Sequence, residues 1–391
     1  MAKQLSEANP CSKAEPRANT NQHLPLPDKK AVIKQPFAQL NHVAWEDLDP
    51  EIKRHFSANA DHVKRPSNKL QRPLEPHLLK VFDIDQVLKA QSFASVDEKQ
   101  YDIMRPVYDA ASENAGLREL PLFDAKILTA RLRQLAAEMP NFSPVIDYML
   151  AEFGFLLTGK IQDFRMEPIL LVGEPGLGKT RFVGRFAEIL GIDYEKISAG
   201  TLQTSGDLGG SSRVWSNTRP GRIARLIAES KQACPIILWD EIDKLSQSDN
   251  YPIVPVILEL LEPDTAKYFR DECIEIRFDA SRIIHVATAN DLESIDKPIC
   301  SRFRIIEISA PDPMQRRSII SNVFKEILCG REFEIEEDVI NRISEIDIDM
   351  RELRRQLRES VGRALLNNER CLRIDHLNIQ VKPARARIGF I

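Results

Sequence analysis

The sequence predicts an α/β fold in which helices cover both faces of a parallel sheet, with a small helical domain after it. Between residues 166 and 309, helical stretches alternate with continuous apolar runs, which are PILLVG, PIILWD, RIIHVATAN and RIIEI. A strand that is apolar along its whole length is typical of a parallel sheet buried on both faces. From residue 310 to residue 391 the apolar residues follow a helical period, which predicts a small helical lid domain.

Two further regions precede the predicted sheet. Residues 1–75 are rich in Pro, Asn, Lys and Gln and show no sustained apolar period, so we expect a disordered tail. Residues 76–165 have a helical pattern, and we expect a helical arm that packs on the sheet domain. One arm segment, LFDAKILTARLRQLAAEM, places five apolar side chains near one helix face: Phe123, Ile127, Leu128, Leu132 and Leu135.

The composition favours a chain without membrane or nucleic-acid partners. Its 391 residues carry a net charge of −4, which gives no reason to expect an anionic partner. No run approaches the roughly 18 apolar residues that cross a bilayer, and the N-terminus lacks the apolar segment of a secretory signal. Six scattered cysteines form no CxxC pair, which indicates buried, inert thiols in a reducing compartment. We therefore expect a cytoplasmic protein.

A phosphate-binding loop follows the run ILLV and precedes the helical segment RFVGRFAEIL. It matches the P-loop pattern GxxxxGK[ST], and its residues are Gly173, Glu174, Pro175, Gly176, Leu177, Gly178, Lys179 and Thr180. Glycines let backbone N–H groups curl around phosphates, and the helix N-terminus adds a positive dipole end. We expect Lys179 to reach the β- and γ-phosphates of ATP and the Thr180 hydroxyl to bind Mg²⁺. The Glu174 side chain must face away, because a carboxylate repels phosphate.

Two carboxylates end the apolar run IILW. We expect Asp240 to hold Mg²⁺, directly or through water, and Glu241 to orient and activate the attacking water. Taken alone, such a pair is usually a strand cap, but its combination with the P-loop favours the functional interpretation. The run RIIHVATAN ends in Asn290, at an edge where parallel strands line a ligand crevice. Asn290 could hold the nucleophilic water, cap the following helix, or do both.

The stretch from about residue 168 to residue 365 resembles the ATPase module of Lon proteases, which are AAA+ proteins. The similarity runs through GLGKTRF, WSNTRPGRI, ILWDEIDKL, ILELLEP, IEIRFDAS and PICSRFRIIEI. It covers about half of the chain. The resemblance implies an AAA+ nucleotide-binding domain over residues 166–309 and a helical lid over residues 310–391.

The resemblance also implies two arginine roles. Arg302 matches the arginine finger, which would reach the ATP of a neighbouring subunit and stabilise charge in the transition state. Arg351 matches the sensor-2 arginine of the lid, which would report the γ-phosphate to the small domain. Arg304, Arg354 and Arg355 lie nearby in the sequence, and surplus arginines on a helix usually form a solvated face.

Trp215 falls where the Lon pattern has its pore-loop aromatic, which would grip a threaded polypeptide. The alternative is a tryptophan buried under its own loop. Since an arginine finger acts on a neighbour, the resemblance implies a homo-oligomer, and family analogy makes it a hexameric ring. Lon proteases continue beyond the lid into a Ser–Lys peptidase domain, for which too few residues follow Arg351. We therefore expect an ATPase without its own peptidase, and a separate peptidase is a candidate partner.

The leading functional hypothesis is Mg²⁺-dependent ATP hydrolysis that drives the unfolding or remodelling of a protein substrate. One alternative is a DNA-directed AAA+ ATPase, such as a loader or a junction motor, which the acidic composition disfavours. Another is a regulatory scaffold that binds nucleotide and turns it over slowly, which an intact Glu241 disfavours.

Overall fold

The computed structural model describes residues 77–95, 98–160, 163–214, 218–245, 252–346 and 348–377. The predicted disordered tail, residues 1–75, lies outside these ranges, and so do Trp215 and residues 378–391 of the predicted lid.

The region predicted as a helical arm contains four helices and a two-stranded antiparallel sheet. In chain order these elements are β1 (Leu78–Lys80), α1 (Ile84–Ala94), α2 (Glu98–Ser112), β2 (Leu117–Glu119), α3 (Ala125–Glu138) and α4 (Ser143–Leu156). On α3 the predicted apolar face is buried at Leu128, Leu132 and Leu135, but Ile127 is 55% exposed. The prediction for Ile127 was wrong because Leu128, Leu132 and Leu135 define the buried face of α3, and Ile127 points about 100° away from Leu128.

A buried arginine joins this region to the large domain. Arg118, which is 3% exposed, donates to the carbonyl oxygens of Ala110 at 2.7 Å, Leu117 at 2.9 Å and Ala228 at 2.8 Å. Burial lowers the pKa of its guanidinium. Of these three acceptors only Ala228 lies in the large domain, so this hydrogen bond joins the two parts of the chain. The buried Nε of Arg118 has no hydrogen-bond partner.

The large domain is built on one parallel sheet of five strands, in the order β4-β5-β8-β3-β9. The strands are β3 (Ile169–Val172), β4 (Tyr194–Ser198), β5 (Ile236–Asp240), β8 (Ile284–Ala289) and β9 (Arg304–Glu307). A short antiparallel hairpin is formed by β6 (Phe269–Arg270) and β7 (Arg277–Phe278). The helices are α5 (Lys179–Leu190), α6 (Gly206–Gly209), α7 (Arg222–Glu229), α8 (Val254–Leu261), α9 (Pro263–Ala266) and α10 (Lys297–Cys300). The predicted α/β fold is therefore confirmed.

Strand β3 illustrates why the strands read as continuous apolar runs. Leu170 packs with Ile237 and Ala287 on one face of the sheet, whereas Ile169 and Leu171 pack into a second cluster on the other face. Since both faces are covered, successive side chains must all be apolar. The carboxyl ends of the parallel strands then share one edge, and that edge positions the candidate site.

The lid is a small helical unit with its own core. Its elements are α11 (Pro313–Leu328), β10 (Glu334–Ile335), α12 (Glu337–Ser344), α13 (Met350–Leu366) and β11 (Cys371–Leu372), and the two short strands pair in parallel. Ile320, Val339 and Leu357 lie in an apolar cluster separate from the two that flank the sheet. An Asp312–Gln315 capping box fixes the start of α11.

The structure bears on two expectations from composition, which concern membrane-spanning helices and the burial of cysteines. Among the described residues, no helix is both long and apolar enough to cross a membrane. Cys234 and Cys273 are buried, as expected, but Cys329 is exposed, so the expectation of uniformly buried thiols was wrong. Cys329 adopts a left-handed conformation at the C-cap of α11, which places it at the surface.

A buried histidine makes the stability of the large domain depend on pH. His285 accepts a hydrogen bond from Trp239 Nε1 through its Nδ1 at 3.2 Å, and burial lowers its pKa to about 3. Unfolding restores an ordinary pKa of about 6.5. Below that pH the unfolded chain binds more protons than the folded chain, so the free energy of unfolding falls as the pH falls.

We therefore predict that wild type loses about 2 kcal/mol more unfolding free energy between pH 7 and pH 5 than His285→Asn does. Asparagine keeps an acceptor for Trp239 but does not titrate. Urea denaturation at both pH values measures the difference. Equal losses in the two proteins would mean that His285 is not held neutral by the fold.

Candidate functional site

The P-loop connects β3 to α5 through two residues in the left-handed region. Gly176 has a φ of 86° and Gly178 a φ of 94°. Side-chain-bearing residues rarely adopt such values, so glycine is required for this path. Glu174 is exposed, as expected for a carboxylate that must avoid phosphate.

Lys179, the first residue of α5, is folded back into the loop. Its side chain is buried, and its Nζ donates to Gly173 O at 2.6 Å, Glu174 O at 2.9 Å and Asn290 Oδ1 at 3.0 Å. Burial lowers the pKa of the ammonium, although the negative charge of Asp240 opposes this effect. The lysine and the asparagine predicted from separate motifs are therefore in direct contact.

Asp240, the last residue of β5, is the centre of the site. Its Oδ1 accepts from the Thr180 hydroxyl at 2.7 Å and from the Thr288 hydroxyl at 2.8 Å, and its Oδ2 lies 2.6 Å from Lys196 Nζ. Burial raises the pKa of this carboxyl, but the hydrogen bonds from Lys196, Thr180 and Thr288 outweigh burial and hold the pKa below its usual value. The carboxylate is thus kept ionised next to the P-loop.

Glu241 follows in a strained backbone conformation. Its φ is 55°, in the left-handed region that glutamate rarely adopts. Its N–H donates to Thr288 Oγ1 at 3.0 Å, and its side chain is exposed. Strain of this kind often marks a functional position. On the next strand, the Asn290 N–H donates to Asp243 Oδ1 at 3.3 Å.

The oxygen atoms around Asp240 fit a magnesium ion bound together with phosphates. Mg²⁺ prefers hard oxygen ligands, and in nucleotide sites it takes one or two from the protein and the rest from phosphates and water. The Thr180 hydroxyl and the Asp240 carboxylate provide such ligands side by side. Among the described residues, no cluster of three or more His, Cys, Asp or Glu side chains could hold a metal ion.

The lid reaches the P-loop through the N-terminus of α13. Asp349, its N-cap, accepts from the N–H groups of Arg351 at 2.6 Å and Glu352 at 3.4 Å. The Asp349 carboxylate lies against Gly176, where an added Cβ would be 1.6 Å from Asp349 Oδ2. Arg351 is exposed, and its charge lies close enough to Lys179 to contribute to the lowered pKa of that ammonium.

Arg302 lies near the amino-terminal ends of the parallel strands, whereas its own P-loop lies at their carboxyl ends. It precedes Arg304, the first residue of β9, which pairs with Ile169, the first residue of β3. The P-loop follows the last residue of β3, one strand length away, or roughly 13 Å for four residues. Arg302 Nη1 donates to Pro298 O at 2.9 Å, and its Nε lies 3.4 Å from a Glu262 carboxylate oxygen.

Arg304, the neighbouring candidate for the arginine finger, is bound within its own chain. Its Nε donates to Glu167 Oε2 at 2.8 Å, and its guanidinium carbon lies 4.6 Å from the centre of the Tyr148 ring. The Tyr148 hydroxyl donates to the same carboxylate oxygen at 2.9 Å. Arg302 is likewise held within its own chain, by Pro298 and Glu262, so these contacts do not decide which of the two arginines is available to a neighbour.

The loop that contains Trp215 is described only up to Val214 and again from Thr218. Its two limbs are joined, since the Thr218 hydroxyl donates to Ser211 O at 2.8 Å. At its base, the buried Asp271 carboxylate accepts from the Gly221 N–H at 2.7 Å. Whether Trp215 is exposed therefore stays a prediction.

Sequence reasoning missed Thr288 and Lys196. Thr288 lies two residues before the motif residue Asn290, whereas Lys196 lies in strand β4 and near no motif position. Alternate residues of a strand share a face, so the period of two along RIIHVATAN could have indicated Thr288. Lys196 could not have been found in this way, because the strand that carries it was not predicted.

A small cavity next to the P-loop was also missed. It has a volume of about 50 Å³, lies between α3, the P-loop and the lid, and is lined mainly by Met139, Asn141, Leu177, Gly178, Ile319, Asn322, Val323 and Met350. These residues come from four separate segments, and only Leu177 and Gly178 belong to a motif, so no sequence signal joins the set.

Comparison with known proteins identifies the region that carries these residues. Residues 169–310 match the family "ATPase family associated with various cellular activities (AAA)". The Lon protease of Campylobacter jejuni is 32% identical over 224 residues, which are 54% of this chain and 28% of that protein. The Lon protease of Wolbachia pipientis is 27% identical over 312 residues, which are 75% of this chain and 38% of that protein.

Among solved structures, the RuvB Holliday junction branch migration motor of Thermotoga maritima aligns with a TM-score of 0.43 at 18% identity, over 58% of this chain and 64% of that one. The chain spans well under half the length of the Lon proteases above. Its residues 169–310 match the AAA family, and the chain resembles part of those proteases.

The Thr288 contacts generate a prediction for the site. Thr288→Val removes the hydroxyl between Asp240 and the Glu241 N–H, which leaves buried polar groups unpaired. We predict that the free energy of unfolding falls by about 1–3 kcal/mol, as measured by urea denaturation. Thr288→Ser keeps the hydroxyl and should lose less than half as much. Equal losses would show that the loss comes from packing instead of the hydrogen bonds.

Proposed function

We propose that this chain, which carries an AAA domain related to that of Lon proteases, binds and hydrolyses ATP with Mg²⁺ and uses the energy to unfold or remodel proteins. The observation that carries the proposal is the hydrogen-bonded group of Lys179, Thr180, Asp240 and Asn290 at one edge of the sheet. We propose residues 166–309 as the nucleotide-binding domain and residues 310–391 as its lid.

Phosphate binding would use contacts that the chain already makes. Lys179 would exchange the carbonyl oxygens of Gly173 and Glu174 for phosphate oxygens, which are stronger acceptors because they are charged. The backbone N–H groups from Gly176 to Thr180 and the N-terminus of α5 favour the same anion. The cavity beside Gly178, whose walls come from the P-loop, the arm and the lid, would be the place for the adenine base. Its lining mixes apolar side chains with polar ones such as Asn141, Arg181 and Asn322.

Hydrolysis would rest on three side chains beyond the P-loop. Asp240 and Thr180 would hold Mg²⁺, which supplies positive charge to the phosphates. Glu241, exposed at the end of β5, would orient the attacking water and accept its proton. Asn290 would help to position the same water. When ATP displaces Lys179 from Asn290, the Asn290 amide becomes free for this role.

The remaining site residues require an assembly. The distance from Arg302 to its own P-loop supports a role on the nucleotide of a neighbouring subunit, in a homo-oligomer that is hexameric by analogy. To act there, Arg302 would have to leave Glu262. Arg351 would contact the γ-phosphate from the lid and so couple nucleotide state to lid position.

A protein substrate is favoured over DNA. The related sequences are proteases, the net charge is −4, and Trp215 belongs to a loop suited to grip polypeptide without regard to sequence. DNA-directed activity stays the alternative, because Arg213, Arg219 and Arg222 lie in or next to that loop. We further propose a cytoplasmic location and a separate peptidase as a partner.

The roles of Lys179 and Glu241 predict different defects. Lys179→Ala should weaken ATP binding at least tenfold, since a charge and its hydrogen bonds to phosphate are lost. Glu241→Gln should bind ATP normally and lose turnover by at least a hundredfold, within the usual range for a general base. Binding of a fluorescent ATP analogue and phosphate release measure the two effects. If both variants lose binding equally, Glu241 is not the catalytic base.

The role of Arg302 predicts complementation. Arg302→Ala and Lys179→Ala should each hydrolyse ATP slowly, whereas an equal mixture should recover activity because some interfaces combine an intact P-loop with an intact arginine. Arg304→Ala is the matched control and should keep most of its activity, since Arg304 is engaged by Glu167 and Tyr148. A mixture no more active than its components would refute action between subunits.

The substrate class is tested by stimulation of ATP turnover. Unfolded casein should raise the rate severalfold, whereas duplex or single-stranded DNA should not. Trp215→Ala should abolish the response to casein and leave the rate without substrate nearly intact. Stimulation by DNA and not by casein would replace the unfoldase proposal with the DNA-directed one.

A further inference from the structure

Lys196 forms an ion pair with Asp240 that the proposed reaction does not use. Lys196 Nζ lies 2.6 Å from Asp240 Oδ2, and the two side chains are 46% and 10% exposed. The other oxygen of the carboxylate is taken by the Thr180 and Thr288 hydroxyls. Lys196 is therefore the one full positive charge in hydrogen-bond contact with Asp240 among the residues that the structure describes.

The edge strand β4 determines where Lys196 points. Ser198 pairs with Asp240 and Lys196 pairs with Leu238, so the side chain runs along the sheet towards the carboxylate. At its base, Lys196 O accepts from Arg222 Nη2 at 2.9 Å, and Glu195 holds the same guanidinium at 2.6 Å. The backbone is held by these contacts while the Lys196 side chain is 46% exposed, so the ammonium could leave Asp240 without disturbing the strand.

We propose that Lys196 is a positioning residue that competes with the metal for Asp240 and thereby sets how strongly nucleotide binding depends on Mg²⁺. The inference rests on the proposed function, because it takes Asp240 to be a metal ligand. Lys196 acts through Asp240 and makes no contact with the nucleotide itself.

The sign of the effect follows from the charges. Without a metal, Lys196 neutralises the carboxylate that faces the phosphates and so limits their repulsion. With a metal, Lys196 repels a second cation held by the same carboxylate. Removal of the Lys196 charge should therefore weaken nucleotide binding in the absence of metal and strengthen metal binding. The affinity for nucleotide should then depend more strongly on Mg²⁺.

The test is the affinity for a fluorescent ADP, measured at saturating Mg²⁺ and again in EDTA. The ratio of the EDTA Kd to the Mg²⁺ Kd should be roughly fivefold larger in Lys196→Gln than in wild type, as for a partly exposed ion pair worth about 1 kcal/mol. The Mg²⁺ concentration that half-saturates the effect should fall. Because ADP is not hydrolysed, neither readout depends on turnover.

Two control variants separate the effect of the Lys196 charge on the Kd ratio from effects of misfolding and of net charge. Lys196→Arg keeps the charge and should restore a ratio close to wild type. Lys231→Gln removes an exposed lysine of the same domain and should leave the ratio unchanged, so it controls for net charge. The inference would be overturned, with the proposed function left standing, by a wild-type ratio in Lys196→Gln. It would also be overturned if Lys231→Gln changed the ratio as much as Lys196→Gln does. A wild type that binds no ADP in either condition would overturn the proposed function and the inference with it.

Discussion

The site depends on keeping one carboxylate ionised at a nearly buried strand end. Asp240 would be unstable as an anion there without partners, and its partners come from three separate elements. Thr180 lies on the P-loop helix α5, Thr288 on β8 and Lys196 on β4. The same set of contacts therefore joins α5, β8 and β4 to the end of β5. Both the proposed phosphate and metal site and the packing of the sheet thus require that the Asp240 carboxylate stay ionised and paired.

The elements around this centre are arranged so that nucleotide could change how they contact one another. Lid residues Ser318 and Asn322 each donate to Ala137 O at 3.2 Å, at the end of the arm helix α3. Asp349 of the lid presses on Gly176 of the P-loop. Apolar residues also meet there, since Met139 and Leu177 line one cavity together with Ile319 and Val323 of the lid. Because the lid has a core of its own, it could move as a unit and so change these contacts when phosphate binds.

The features readable from sequence were those with a strong local pattern. Apolar runs revealed β3, β5, β8 and β9. The P-loop motif placed Lys179 at the carboxyl ends of the parallel strands. Strand β4 was missed because its sequence, YEKIS, mixes polar and apolar residues, as befits a strand at the sheet edge. Lys196 was missed with it, and the residues of the cavity beside Gly178 were missed because only tertiary packing brings them together. Arg302 and Arg351 were identified by resemblance, since no local pattern distinguishes them from their neighbouring arginines.

The most direct test of a phosphate and metal site centred on Asp240 is an experimental structure of the chain with ADP and Mg²⁺. The account predicts the β-phosphate within hydrogen-bond distance of Lys179 Nζ, the metal next to Thr180 and Asp240, and loss of the contact between Lys179 and Gly173 O that is now 2.6 Å long. A nucleotide bound elsewhere, with Lys179 still held by Gly173 and Asn290, would contradict it.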